Sequence, residues 1–363
     1  EGPEPRPPAS VNPADPLGAP HMYVSDIHDG EVGVYDDLDT MLAEAPVDAV
    51  VILATHPVHH TIAIKCLEAG KHVAVEKPMA ITVLAARRMI QAAEAAGRAL
   101  LVLESARYSL GNRAAEWAMQ TGLIGDPQML LSIAVGLREW SPDHVLAHTP
   151  WRHDRLSGGG VAVDFGVHLT TWARRVAGEF DEVSALTRVL EPIRREYDDA
   201  GNVLSAVAAD AEDVFFANAT FESDAIGQFS FCAAGHGEGV GLAGGRAVYG
   251  TCGCLKGEEA ILDDGRRGSL SQIFAESADA DLTARWFPLG LEDRFALEHH
   301  DFLTAIAGGV EPEMSGEEGL RDLAAAWAML ESSHAGRPVK VSEVQSGELS
   351  ACQDELNAHW ELT

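Results

Sequence analysis

The chain has 363 residues, 46% of them hydrophobic, and a formal net charge of -30. That length and apolar share suit two ordinary cores and exclude disorder across the whole chain, while the charge repels phosphate backbones and anionic lipid, which excludes nucleic acid and membrane as partners. No apolar run is long enough to cross a bilayer, and Cys66, Cys232, Cys252, Cys254 and Cys352 are too scattered for a disulfide framework, so reduced thiols and a cytoplasmic setting are expected.

In chain order, residues 1–20 are Pro-rich and expected to be irregular. The run MYVSD, ending at Asp26, reads either as a strand whose terminal acid meets an adenosine ribose or as plain turn chemistry before Gly30. DDLDTMLAEAP reads as a helix, and VDAVVILAT as a strand buried on both faces. HHTIAIKCLEAG is a helix stopping at Gly70, and KHVAVEKP a second strand. Thr82 caps VLAARRMIQAAEAAG, which closes at Gly97 before a third strand, ALLVLES. Alternating strands and helices predict a Rossmann-type, doubly wound parallel sheet over residues 1–103. Its first strand, glycine turn and helix are not found and are expected ahead of Glu1.

From Glu104 the pattern changes. A helix around NRAAEWAMQTG precedes the strands LLSIAV, EVSALTRVL, DVFFANATF, AIGQFSFCA and RAVYGTCGCL, which mostly alternate in and out. Two helices, RFALEHHDFLTAIAGG and GLRDLAAAWAMLESSHAG, follow. Residues 104–363 are thus expected to form a second α/β domain with an open, largely antiparallel sheet. Cys252 and Cys254 are read as strand residues, with no metal site. The string Gly239, Gly241, Gly244 has GxGxxG spacing but is read as a loop, because it lies between strands and opens no helix. Ser157 to Gly160 reads as a flexible approach to the next helix.

Two features carry chemistry. Lys77, in Glu76-Lys77-Pro78, stands at the carboxyl end of a parallel strand, where such sheets bind ligands; the alternative is a surface lysine paired with Glu76. A helix starting near Asp164 places Asp164 and His168 one turn apart, beside an apolar stripe of Phe165, Leu169, Trp172 and Val176. The alternative is a capping Asp and a core His.

These runs, with SARYSLGNRAAEWAMQTGLIGDP, TPWRHDRLSGGGVAVDFGVHL and AMLESSHAGRPVKV, resemble in order and spacing the Gfo/Idh/MocA family of sugar and inositol dehydrogenases from about Tyr35 to Val341. The resemblance implies a catalytic lysine at Lys77 and an acid and base at Asp164 and His168, with Asp164 orienting the imidazole or binding a neighbouring hydroxyl. It implies NAD or NADP along Thr55, His56, Pro57 and His60, with Glu76, Lys77, Trp151 and Arg152 adjoining. His56 and Pro57 depart from the family's Pro-Asn. Arg107 and Tyr108, like Trp151 and Arg152, are implied to face the cleft, Arg107 and Tyr108 as substrate contacts. The implied activity is oxidation of a secondary alcohol on a sugar, inositol or polyol, by a homo-oligomer (dimer or tetramer) joined through the second sheet. A glycosidase using NAD transiently, a cofactor-binding regulator and an inactive fragment share the fold.

Overall fold

The computed structural model describes residue 30 and residues 32–136, 149–197 and 200–362. Asp26 and the MYVSD run lie outside the described residues. The chain divides into two compact units, Glu1–Pro46 and Val47–Thr363. In the first, helix α1 (Leu38–Glu44) starts where the Asp37 carboxylate accepts the Thr40 N–H at 2.8 Å.

The second unit opens with β1 (Ala49–Ile52), α2 (His59–Glu68), β2 (His72–Glu76), α3 (Val83–Ala96) and β3 (Leu100–Leu103). The strands form a parallel sheet in the order β1-β2-β3. Val73, Ala74 and Val75 are fully buried and all four β3 residues nearly so, which fits their continuous apolar runs. Each such valine or leucine contributes roughly 1.5–3 kcal/mol by leaving water. The expectation of burial on both faces fails for β1. It lies at the edge of the described sheet, with Val51 42% and Leu53 74% exposed. Thr82 caps α3 by accepting the Ala85 N–H, and Gly97 ends it at φ 60°, as the sequence indicates.

Next come α4 (Leu110–Gln120), β4 (Pro127–Val135), α5 (Val161–Asp164), α6 (Gly166–Ala177), β5 (Phe180–Arg188), β6 (Ile193–Tyr197), β7 (Val203–Ala208), β8 (Val214–Phe221), β9 (Ile226–Cys232), β10 (Val240–Gly250), β11 (Gly253–Lys256), β12 (Glu259–Leu262) and β13 (Arg267–Ser269). Helices α7 (Leu270–Ser277), α8 (Ala280–Trp286), α9 (Arg294–Gly308) and α10 (Gly316–Ala335), strand β14 (Val339–Lys340), and helices α11 (Val341–Ser346) and α12 (Asp354–His359) complete the unit. Nine strands form one sheet, β13-β12-β11-β10-β4-β9-β8-β5-β14, antiparallel throughout except for β4 against β9. The pair β6-β7 stands apart as a hairpin.

Strand β8 alternates as a half-buried strand should: Phe215, Ala217 and Ala219 point inward, while Phe216 is 53% exposed. Helix α10 packs against β5, and α6 against α10. The opposite face also presents Leu186 and Ile226, 59% and 55% exposed.

Three local readings change. Gly241 and Gly244 belong to β10 rather than to a loop; the ladder with β4 breaks register between Gly241 and Arg246, and Gly permits that irregularity. Cys252 sits in the two-residue turn between β10 and β11, so only Cys254 is a strand residue. The helix expected to start near Asp164 begins at Val161, breaks at Phe165 and resumes at Gly166.

Candidate active site

The carboxyl ends of the three parallel strands each deliver a polar group. After β1 the chain turns through Thr55 to Val58 into α2; after β2 comes Lys77, joined to Pro78 by a cis peptide bond; after β3 comes Glu104. His59, which the sequence reading passed over, ties the first two turns together: its ring nitrogens meet the Pro78 carbonyl at 3.1 Å and the Ala54 carbonyl at 3.0 Å. His60 is buried beside it, its Nε2 3.2 Å from the Thr61 hydroxyl.

Lys77 Nζ donates to the Asp164 backbone oxygen at 2.8 Å and to Oδ1 at 2.9 Å. An ammonium has three N–H groups, so one remains free. Arg152 Nε donates to Asp164 Oδ2 at 2.8 Å, and His56 Nε2 lies 3.8 Å from Oδ1. Burial pushes the Asp164 carboxyl up, but the cations Lys77 and Arg152 outweigh it and hold it well below the usual carboxylate range. Burial pushes His56 down to about 3 despite Asp164, so its ring is neutral; it meets Trp151 edge-on at 4.5 Å. The Arg152 guanidinium covers the Trp151 ring at 4.3 Å. His56, Lys77, Trp151, Arg152 and Asp164 are thus brought together.

His168 joins a different carboxylate. Its Nδ1 lies 2.7 Å from Glu104 Oε1, and Glu104 is only 2% exposed. Burial raises the Glu104 carboxyl, yet His168 and Lys77 bring it below its ordinary value, so it is ionised. An ionised carboxylate only accepts, which puts the proton on Nδ1 and leaves Nε2 free to take one. The expectation that Asp164 orients the imidazole is therefore corrected: Asp164 is occupied by Lys77 and Arg152, and Glu104 holds His168. Only the strand-end position of Glu104, one residue past ALLVL, offered a sequence signal.

The expectation for Arg107 and Tyr108 is also corrected. Both are buried, Arg107 between Glu116 and Glu313 and Tyr108 donating to Asp301 at 2.8 Å, so they brace the interior instead of facing the cleft. Thr55 is exposed at the turn, Pro57 is buried, and Glu76 is half-buried. His168, 32% exposed at its side chain, lines a cavity of about 580 Å³ with Ser109, Asn112, Phe165, Trp172 and Arg246.

Two further buried acids were not foreseen. Glu212 accepts the Ala162 N–H at 2.9 Å, and its backbone oxygen accepts the Val161 N–H, which anchors the start of α5 and hence Asp164. A Cβ at Gly160, at φ 116°, would run into that carboxylate, and burial lifts Glu212 to about 7. Glu298 on α9 is 2% exposed and pushed up to about 8 by burial, then by Glu76 and Glu104. Because its folded value exceeds the ordinary 4.5, the native state holds a proton that the unfolded chain releases, and stability falls as pH rises from about 4.5 to about 8. The expected slope is about 1.4 kcal/mol per pH unit within that window. Glu298→Gln removes it, so urea midpoints of variant and parent diverge between pH 5 and pH 9 in the variant's favour. A gap that is constant across pH rules this linkage out.

The donor set can polarise an alcohol oxygen through Lys77 and remove its proton through His168. Among the described residues no cluster fit to hold a metal is found, and no side chain here accepts hydride. Residues 25–104 match the family described as "Oxidoreductase family, NAD-binding Rossmann fold", and residues 124–341 match its C-terminal alpha/beta domain.

The chain belongs to the Gfo/Idh/MocA oxidoreductase family.

Among its relatives, 1,5-anhydro-D-fructose reductase of Ensifer adhaerens is 27% identical over 312 residues, covering 85% of this chain and 84% of that protein. Myo-inositol 2-dehydrogenase of Thermotoga maritima is 27% identical over 324 residues, with the same coverage. The crystal structure of an oxidoreductase domain protein from Kribbella flavida superimposes with a TM-score of 0.67 at 25% identity, covering 84% of this chain and 83% of that one. No described helix is long and apolar enough to cross a membrane.

Proposed function

We propose that this family member oxidises a secondary alcohol of a sugar, inositol or related polyol, or reduces the corresponding ketone, with Lys77 and His168 as catalytic residues. The observation that carries the reading is the Glu104–His168 pair at 2.7 Å beside a cavity, with Lys77 keeping one spare donor. The two enzymes reported above, named for sugar and inositol chemistry, support the substrate class.

NAD, when bound, supplies the hydride acceptor. His56, Trp151 and Arg152 are the residues that would hold its nicotinamide end, with Thr55, Pro57, His60 and Glu76 adjoining. The chain's own work is proton and charge handling. His168 Nε2 takes the hydroxyl proton while Glu104 steadies the Nδ1–H, and the imidazolium that forms is compensated by the Glu104 carboxylate. The free Lys77 N–H stabilises negative charge building on the substrate oxygen. Asp164 fixes Lys77 rather than touching the imidazole.

A homo-oligomer and a cytoplasmic setting belong to the same proposal. Exposed Leu186, Phe216 and Ile226 on the outer face of the nine-stranded sheet, and five free cysteines, support them. A division into a cofactor domain to residue 103 and a substrate domain from residue 104 is part of the same proposal.

The purified chain is assayed for cofactor reduction against sugars, inositols and other polyols, with NAD and NADP in turn. Stoichiometric ketone and reduced cofactor are expected. Free sugar released from a glycoside without net cofactor reduction would establish the glycosidase activity instead. If an NADH fluorescence titration shows no binding, the enzymatic reading fails.

A further inference from the structure

The cavity beside His168 holds a charge that alcohol oxidation does not need. Arg246 stands on β10 at the break in register, opposite Ser132 of β4. Its guanidinium carbon lies 4.9 Å from the centre of the Trp172 ring, and among the described residues its side chain has no carboxylate, carbonyl or hydroxyl partner. The ring face holds the plane of the guanidinium and leaves its N–H edges to solvent. The side chain is half-buried at the cavity wall, so a ligand acceptor entering the cavity can replace that water. Burial pulls its pKa down and Glu104 pulls it back up; a guanidinium so placed stays charged. Glu104 is also the carboxylate bound to His168, which makes the cation and the base neighbours.

The rest of the cavity suits a carbohydrate. Half-buried Phe165 offers apolar surface to a sugar ring, and Asn112 and Ser132 offer hydrogen bonds to hydroxyls. Glu258, another charged lining residue, is exposed and already accepts the Ser271 hydroxyl at 2.6 Å. A protein of formal charge -30 repels anions at long range, so a local cation is what admits one.

Resting on the reading above, we propose that the substrate is a sugar acid or polyol acid whose carboxylate binds the Arg246 fork while a carbinol further along the molecule faces His168. Carboxylate and guanidinium match as two parallel hydrogen bonds, and that geometry gives Arg246 its role in specificity.

The test uses the full chain with NAD and a panel of uronates and aldonates, each beside its neutral counterpart: D-glucuronate with D-glucose, D-galacturonate with D-galactose, D-gluconate with D-glucitol. Glucose 6-phosphate serves as the alternative anion, and titration calorimetry follows the same compounds. At least one acid is expected to exceed its neutral partner tenfold or more in kcat/KM, and Arg246→Gln to erase that preference. Neutral sugars oxidised as well as the acids, a preference confined to the phosphate ester, or an acid preference untouched by Arg246→Gln each overturns the proposal. Acids that bind through Arg246 without any sugar being oxidised uphold the anion site and sink the dehydrogenase reading instead. Absence of both binding and turnover overturns the proposal.

Discussion

Turnover falls about a hundred- to ten-thousand-fold when His168 is replaced by Asn, because positioned proton transfer contributes that much and no described neighbour replaces Nε2. Glu104→Gln approaches the same loss without touching the reacting atoms. The carboxylate at 2.7 Å dictates that Nδ1 carries the proton. An amide in its place can donate to Nδ1 and drive the proton to Nε2, which disables the base while the ring stays where it was. The loss should appear in kcat with KM little changed, NADH affinity should persist, and Glu104→Asp should recover part of the rate. A Glu104→Gln enzyme within a few-fold of the parent removes Glu104 from this role, and an equally active His168→Asn removes His168.

Lys77→Met is the second large effect, and it has two separable parts. Loss of the spare N–H toward the substrate oxygen costs about a hundred- to a thousand-fold in kcat. Loss of the pair also leaves Asp164, whose side chain is 2% exposed, with Arg152 as its remaining full charge partner. Removing one member of a buried pair destabilises by about 3 kcal/mol. The double variant Lys77→Met with Asp164→Asn separates the two, because the neutral amide relieves the stranded charge but supplies no donor to the substrate. Recovered stability with turnover still lost is the expected outcome, read from urea midpoints and initial rates. Recovered turnover would show that Lys77 serves structure alone.

Much of this was legible in the sequence because local rules operated undisturbed. Val73 to Val75 and Leu100 to Leu103 read as buried parallel strands and are. Thr82 and Gly97 read as the ends of one helix and are. Lys77 and Asp164 were singled out separately, and their contact spans 87 positions that only folding closes. Long-range partners explain the failures. Glu104 read as one of the closing residues of the strand ALLVLES, and nothing near it in the chain says that it meets position 168. Arg107 looked like a cleft residue until Glu116 and Glu313 neutralised it inside. Cys252 was misplaced for a local reason: a two-residue turn between β10 and β11 left no loop signal long enough to notice.

Strand β3 does not end the parallel sheet with an open edge. The Val102 N–H donates to the Met314 carbonyl at 2.8 Å, and Leu101 bridges to Ser315, the residue that caps α10. Polypeptide made more than 200 positions later thus seals a strand that is otherwise complete at Leu103. On a ribosome, that edge waits for most of the remaining protein to be synthesised. A gene fragment stopping at residue 103 would leave unpaired N–H and C=O groups beside a run of leucines, the pattern that recruits other chains and aggregates.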